Sequence, residues 1–103
     1  MSGWQERGAA PGPAPRFLAD AMLERLARWL RVLGFDTAGA AGPDRALARR
    51  AAAEGRILLT RDRRLAAEAE GSGAEALLIR GDAPLAQLVD LLDRLGLAPA
   101  AEP

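Results

Sequence analysis

Short apolar runs typical of strands alternate along the chain with stretches whose apolar residues recur at the helical spacing of three and four. This pattern predicts four short strands separated by helices. The predicted strands are residues 16–19, 35–38, 56–60 and 75–80. The predicted helices are residues 21–33, 44–54, 63–70 and 84–95. The last two strands are nearly unbroken apolar runs, which is typical of strands covered by helices on both faces. This order predicts an α/β fold with right-handed crossovers and a mainly parallel sheet.

The first helix shows a clear division into faces. At about 100° per residue, one arc of this helix carries its apolar residues: Met22, Leu23, Leu26, Trp29, Leu30 and Leu33. Arg25, Arg28 and Arg31 fall on a separate arc. The pattern therefore predicts that Trp29 lies in the core or at its edge, rather than serving as a platform for base stacking.

The two ends of the chain differ from its centre in composition. Residues 1–15 and 98–103 are rich in Gly, Ala and Pro and have no apolar period. We expect them to be flexible tails around one folded domain at residues 16–97. A domain of this size buries only about 60–65% of its unfolded surface, so a homodimer would gain stability by burying more.

Composition removes several kinds of chemistry. The chain has no Cys and no His, which excludes disulfides, zinc–thiolate sites and histidine-based acid–base catalysis. All 14 basic residues are arginines, so P-loop and Schiff-base lysines are also absent. They balance 14 acidic residues, and any basic surface must be local. With no signal-peptide pattern and no long apolar run, a cytoplasmic location without membrane contact is expected.

Acidic residues follow three of the four predicted strands. Asp20 follows the first strand, Asp62 the third and Asp82 the fourth, while Asp44 begins the helix that enters the third strand. Parallel strands end at one edge of the sheet, where open α/β folds bind their ligands. Two or more of these carboxylates are therefore expected to meet there.

Each of these aspartates has three possible roles. An aspartate at a helix start is a favoured N-cap, and Asp82 in Gly-Asp-Ala-Pro has the most cap-like context. An aspartate among arginines, such as Asp62 in RILLTRDRR, can form an ion pair. The third role is metal ligation, which the convergence of the strand-end acids favours.

An oxygen-only cluster suits a hard divalent ion, Mg²⁺ or Mn²⁺. Such an ion binds phosphate oxygens and activates water, which indicates hydrolysis of a phosphodiester. Five arginines could supply local positive charge for a polyanion such as RNA: Arg25, Arg28, Arg61, Arg63 and Arg64. The alternative for these arginines is surface solubility and ion pairing.

Two stretches resemble a known family. RFLADAMLERLARWLRVLGFDT and GRILLTRDRRL are similar to segments of the Mut-seven C-terminal ribonuclease domain family, a PIN-like group. The resemblance covers about residues 16–97. It implies a PIN-like three-layer α/β/α sandwich with a mainly parallel sheet of four to five strands. It also implies an endoribonuclease that depends on Mg²⁺ or Mn²⁺, with single-stranded RNA favoured as substrate.

The resemblance also implies roles for individual residues. The family's first strand-end acid falls on Asp20 and the acid of its TRD motif on Asp62, as primary metal ligands. Asp44 would complete the site or orient the water, and Asp82 would be an outer ligand. Arg61 and Arg63 would hold phosphate or pair with the acids. Many PIN nucleases are toxins, so an antitoxin-like protein partner is a further expectation.

Two departures from the family pattern favour an alternative function. Many members carry a Cys-rich extension that looks like a zinc ribbon, whereas this chain has no Cys. The segment around Asp44, AGAAGPDRA, is also less acidic than the corresponding family segment. The alternative is a catalytically weak or inactive PIN-like module that binds RNA or a protein partner.

Overall fold

The computed structural model describes residues 4–6, 14–40 and 44–99, with side chains described for residues 14–40 and 46–97. The strands are β1 (Trp4–Glu6), β2 (Phe17–Ala19), β3 (Thr37–Gly39), β4 (Ile57–Thr60), β5 (Ala76–Leu78) and β6 (Leu97–Pro99). The helices are α1 (Glu24–Val32), α2 (Asp44–Glu54), α3 (Arg63–Gly71) and α4 (Pro84–Arg94), with a 3₁₀ turn at Ala21–Leu23 before α1. The predicted strand–helix alternation is confirmed.

The central sheet has four parallel strands in the order β3-β2-β4-β5. From β2 the chain moves outward to β3 and then crosses back to pair β4 with the other side of β2. The strand order therefore reverses between β2 and β4, which is the topological switch point of this sheet. The register sets Ala19 opposite Leu59, so both strands end together at that point.

Helices cover both faces of the sheet. Phe17, Ala19 and Leu59 belong to a core with residues of α1 and α4, whereas Leu18 and Leu58 belong to a second core with α2 and α3. Neighbouring strand residues thus serve opposite faces, as the pleat requires. The result is a three-layer α/β/α sandwich, consistent with the PIN-like expectation. Among the described helices, none is long and apolar enough to cross a membrane.

The apolar arc predicted on α1 is wider than the face that becomes buried. Leu23, Leu26 and Leu30 are at most 2% exposed and pack into the core. Trp29, by contrast, is 43% exposed and Met22 is 78% exposed. The sheet and α4 cover only the inner part of the arc, so Trp29 is not buried in the core but lies at its edge, beside Leu88 and Leu92. Trp29 lies on the surface beside α4.

An ion cluster joins the amino ends of three strands. The guanidinium of Arg56 donates to the carboxylates of Asp36 and Glu54, at 2.9 and 2.6 Å, and to the carbonyl oxygen of Phe17 at 3.1 Å. Arg16 donates to Asp36 at 3.1 Å and to the Glu54 carbonyl oxygen at 2.7 Å. The segments that enter β2, β3 and β4 are therefore tied together at the edge opposite the strand-end aspartates.

A two-stranded ribbon lies outside the central sheet. β1 pairs antiparallel with β6, with Trp4 opposite Pro99 and Glu6 opposite Leu97. Neither strand was expected, because three residues are too few to show a period of two. Leu97 is only 4% exposed and belongs to the core beneath α4. The wider division into tails at 1–15 and 98–103 around a 16–97 domain stays a prediction.

Replacing Asp36 with Asn should lower the free energy of unfolding by about 0.2–1 kcal/mol at neutral pH, the range of exposed ion pairs. Hydrogen bonds from Arg56 and then Arg16 hold the pKa of Asp36 below its usual range. Because its pKa is lower in the folded state, the Asp36 carboxylate stabilises the fold at pH values above its unfolded-state pKa, near 4. This stabilisation is lost as the pH falls through the folded-state pKa. The difference between wild type and Asp36→Asn should therefore shrink below about pH 4.

Urea denaturation at a series of pH values from neutral to acidic measures this difference. Glu68→Gln is the matched control, because Glu68 is exposed and its carboxylate has no hydrogen bond or ion pair within the described residues. A difference between wild type and Asp36→Asn that stays constant down to the acid limit would contradict the ion-cluster explanation.

Candidate active site

Asp20 stands at the carboxyl end of β2, where the chain turns into α1. Its backbone N–H donates to the Leu59 carbonyl oxygen at 3.0 Å, which fixes it beside β4. Its Oδ1 accepts from the Met22 N–H at 3.4 Å and so caps the 3₁₀ turn. Its Oδ2 accepts from the Thr60 hydroxyl at 3.0 Å. The residue is half-buried, and each of its two carboxylate oxygens accepts one hydrogen bond.

Asp62 is the N-cap of α3. Its Oδ1 accepts from the N–H groups of Arg64 and Leu65, at 2.9 and 3.4 Å. The capping role is therefore confirmed for this residue. Within the described residues, Oδ2 of Asp62 has no hydrogen bond or ion pair, and the residue is exposed. One oxygen of Asp62 caps the helix while the other remains available to a ligand.

Thr60 joins these two aspartates. It is the last residue of β4 and is completely buried. Its hydroxyl donates to Oδ2 of Asp20 and accepts from the Asp62 backbone N–H, both at 3.0 Å. Sequence reasoning did not single out Thr60. The available signal was a hydroxyl at the end of a buried apolar run, directly before the acidic turn.

Asp82 is placed differently from Asp20 and Asp62. It is 98% exposed and pairs with Arg61, whose Nη2 lies 3.3 Å from its Oδ1. Within the described residues, it has no hydrogen bond to Asp20 or Asp62. Asp82 does not cap α4, because Ala83 is the N-cap and no side-chain hydrogen bond caps the helix there, so its cap-like context was misleading. The structure joins Asp20 and Asp62 through Thr60, while Asp82 pairs with Arg61.

Two side chains hold the loop that carries Asp82 by donating hydrogen bonds to the same backbone carbonyl group. The guanidinium of Arg61 and the amide nitrogen of Gln87 both donate to the Gly81 carbonyl oxygen, the latter at 2.7 Å. Gln87 is buried, so the contact anchors the loop to α4. Gly81 has a φ of +79°, a backbone conformation that favours glycine. These contacts fix the position of Arg61 beside the strand ends.

A cleft of about 420 Å³ opens between the turn after Asp20 and this loop. One wall is the stretch from Ala21 to Leu26, and Arg61, Asp82 and Pro84 form the other. Charged residues line the cleft on both walls, among them Arg25 on one and Arg61 on the other. The cleft begins at Ala21, the residue that follows Asp20.

Four further arginines lie on elements that leave this edge of the sheet. Arg25 and Arg28 are exposed on α1, and Arg63 and Arg64 are exposed in the first turn of α3. Within the described residues, their side chains make no hydrogen bond or ion pair. Cations at a helix start are unfavourable with the helix dipole, by about 0.3–1 kcal/mol each. Arg63 and Arg64 thus lie where the helix dipole disfavours a cation, next to Asp62.

The donor set at the switch point suits a hard divalent ion. Asp20 and Asp62 are oxygen donors, and within the described residues neither is paired with an arginine. Mg²⁺ is commonly held by one or two carboxylates together with waters and substrate phosphates. The described residues contain no group of three or more acidic side chains close enough to hold an ion. Asp44, predicted as a third member, begins α2, but its side chain lies outside the described residues.

Comparison with known proteins adds one finding to this geometry. Searches of curated proteins and of solved structures gave no match. The family model described as Mut7-C RNAse domain matches residues 15–103, which include the whole central sheet, all four helices and both aspartates of the switch point. This agrees with the resemblance carried by the segments around Asp20 and Asp62. The chain belongs to the Mut7-C RNAse domain family.

Proposed function

We propose that this protein is a ribonuclease that hydrolyses RNA phosphodiester bonds at the edge where β2 and β4 end, with Mg²⁺ or Mn²⁺ as cofactor. Family membership supports a nuclease-like role. One observation carries the proposed site: the Thr60 hydroxyl links Asp20 and Asp62 at the point where the strand order reverses. That point is the usual ligand-binding place of an open parallel sheet.

Asp20 and Asp62 would hold the ion in this proposal. Bound there, Mg²⁺ or Mn²⁺ would activate a water molecule and stabilise charge on the phosphate and the departing oxygen. Thr60 acts as a positioning residue, because its buried hydroxyl orients the Asp20 carboxylate and the Asp62 backbone at once. Asp44 as a further ligand and Asp82 as an outer ligand stay predictions.

The arginines would hold the RNA strand. Arg63 and Arg64 extend from the start of α3 beside Asp62, and Arg25 lines the cleft beyond Asp20. Each can donate charge-assisted hydrogen bonds to phosphate oxygens. Arg61 is engaged with Gly81 and with the exposed carboxylate of Asp82. An exposed pair of this kind is weak, so a phosphate could replace Asp82 as the partner of Arg61.

A second candidate function is a PIN-like module that binds RNA or a protein without cleaving RNA. Asp20 and Asp62 alone are a sparse donor set, and the described residues contain no group of three or more acidic side chains that could hold an ion. Such a module would keep the arginines and the fold but would not bind the ion.

Asp20→Asn and Asp62→Asn should each reduce Mn²⁺-dependent cleavage of single-stranded RNA by about a hundredfold or more, since even outer-shell changes at metal sites cost about 10–100-fold. Asn remains a good N-cap, so Asp62→Asn should leave thermal stability nearly unchanged. Asp62→Ala removes the cap as well and should cost about 1 kcal/mol. A cleavage assay combined with thermal denaturation separates the two roles of this carboxylate.

Full cleavage activity in both Asn variants would contradict the assignment of these aspartates. The matched control is Glu68→Gln, which removes an exposed negative charge from α3 away from the site. It should cleave RNA like the wild type.

Thr60→Val should lower kcat by about 10–100-fold with a smaller change in KM, because Val fills the same volume but cannot orient Asp20. Thr60→Ser keeps the hydroxyl and should retain most activity, although the lost methyl costs about 1 kcal/mol of stability. Steady-state kinetics and denaturation of both variants test this. If the loss of activity in the two variants matches their loss of stability and does not depend on whether the hydroxyl is present, Thr60 has no positioning role.

Mn²⁺ should raise the midpoint of thermal unfolding of the wild type, because a ligand that binds only the folded state stabilises it. The shift should disappear in the double variant Asp20→Asn/Asp62→Asn and persist in Asp82→Asn, whose carboxylate faces Arg61. A well-folded wild type that shows no shift over a Mn²⁺ titration would favour the non-catalytic module. A shift that persists in the double variant would show that the ion binds elsewhere.

A further inference from the structure

The outer surface of α1 and α4 carries a group of exposed apolar residues, here called the α1/α4 face. It consists of Trp29 and Val32 on α1 and Leu85 and Val89 on α4, which are 43%, 74%, 56% and 64% exposed. Their spacings of three and four residues set each pair on one side of its helix. Exposed apolar patches of this kind mark interaction surfaces in soluble proteins.

The α1/α4 face has a shape that a partner can fill. Two adjoining clefts of about 470 and 340 Å³ run between the helices and share Trp29 and Leu85. The first is also lined by Arg25 and Arg28, and the second by Leu92 and Asp93. Together they form one groove with the indole of Trp29 near its middle.

The two ends of this groove carry opposite charges. Arg25 and Arg28 lie at the end near the start of both helices, and Asp93 lies at the end near their finish. Within the described residues, none of these three side chains has an ion pair or hydrogen bond. α1 and α4 run in the same direction, because each follows a strand of the same parallel sheet. The groove therefore has a cationic end, an apolar middle and an anionic end.

This arrangement is self-complementary under a two-fold rotation. Turning a second copy by half a turn about an axis through the apolar middle sets its anionic end on the cationic end of the first copy. Trp29, Leu85 and Val89 of both copies then meet in the centre. Two-fold dimers use the same patch on both subunits, with each pairwise contact occurring twice. Trp and Arg are also enriched at protein interfaces.

RNA fits the α1/α4 face less well. Val32, Leu85 and Val89 offer neither hydrogen bonds nor charge to a phosphate, and Asp93 would repel it. Only Trp29 with Arg25 and Arg28 would suit a nucleotide, and they occupy one half of the groove. A second copy of the chain places opposite charges at both ends of the groove and apolar side chains in its middle.

We propose that the protein forms a two-fold homodimer through the α1/α4 face, with Arg28 of each copy beside Asp93 of the other. The proposal does not depend on ribonuclease activity, since it uses neither Asp20 nor Asp62. It assigns the exposed indole of Trp29 to the centre of the interface.

Sedimentation of the full chain across a wide concentration series tests the dimer, which has twice the 10.8 kDa mass of the chain. Arg28→Asp and Asp93→Arg should each weaken dimerisation by about tenfold or more, because each creates like-charge contacts at both ends. Mixing the two variants should restore it. In the mixed pair, both contacts become one Arg opposite one Asp again.

Val89→Glu should also give a monomer, and its circular dichroism should match the wild type because Val89 is exposed in the single chain. Glu68→Arg on α3, in the opposite layer, is the control and should leave the dimer intact. A wild type that is monomeric at every concentration would overturn the proposal. So would single variants that dimerise normally, or a mixture that stays monomeric.

A measurement of RNA affinity tests the alternative that Trp29 contacts RNA instead of a second copy of the chain. Fluorescence anisotropy with a labelled single-stranded RNA measures affinity for wild type and Trp29→Ala. If the wild type is monomeric and Trp29→Ala weakens RNA binding, Trp29 belongs to an RNA surface and the dimer is excluded. A failed cleavage assay leaves the dimer proposal unaffected, and a monomeric wild type leaves the proposed cleavage unaffected.

Discussion

The parallel pairing of β2 with β4 determines where the acidic residues of this fold lie. It places Ala19 opposite Leu59, so that the residues following the two strands emerge side by side. The hydroxyl of Thr60 then converts this backbone alignment into a fixed relation between Asp20 and Asp62. A shift of the register by one residue would turn Thr60 to the other face of the sheet and separate the aspartates.

The two edges of the sheet have different electrostatics. At the amino ends, Arg56 is only 10% exposed and its charge is matched by Asp36 and Glu54. At the carboxyl ends, several arginines and the Asp62 carboxylate have no described ion-pair partner. Opposite charges held together add to the stability of the fold, whereas charges left apart remain available to a ligand. The amino edge thus carries a cluster of ion pairs, whereas the carboxyl edge carries the exposed Arg61–Asp82 pair together with charges that have no described partner.

Much of this architecture could be predicted from the sequence because it follows from local patterns. The runs around Phe17 and Leu58, the glycines after the helices and the strand-end acids suffice for a parallel α/β sandwich with aspartates at one edge. The degree of exposure of Trp29 could not be predicted, since helical periodicity gives the direction of a side chain and not how much of it a neighbouring element covers. The role of Thr60 could not be predicted either, because the sequence does not reveal which groups a buried hydroxyl bonds to. The β1–β6 pairing depends on contacts between the two ends of the chain and leaves no local pattern.

The separation of the two edges has a consequence for substitutions at the carboxyl edge. Neither Asp20 nor Asp62 takes part in the ion cluster of Arg56, and the only structural duty of Asp62 described here is a helix cap that Asn can also perform. A single substitution of Asp62 by Asn could therefore remove this carboxylate while the helix cap remains. Such a chain would keep the sandwich, the capped helix and the arginines. If Asp20 and Asp62 hold the ion as proposed, a chain with this fold but without these two carboxylates would bind RNA without cleaving it.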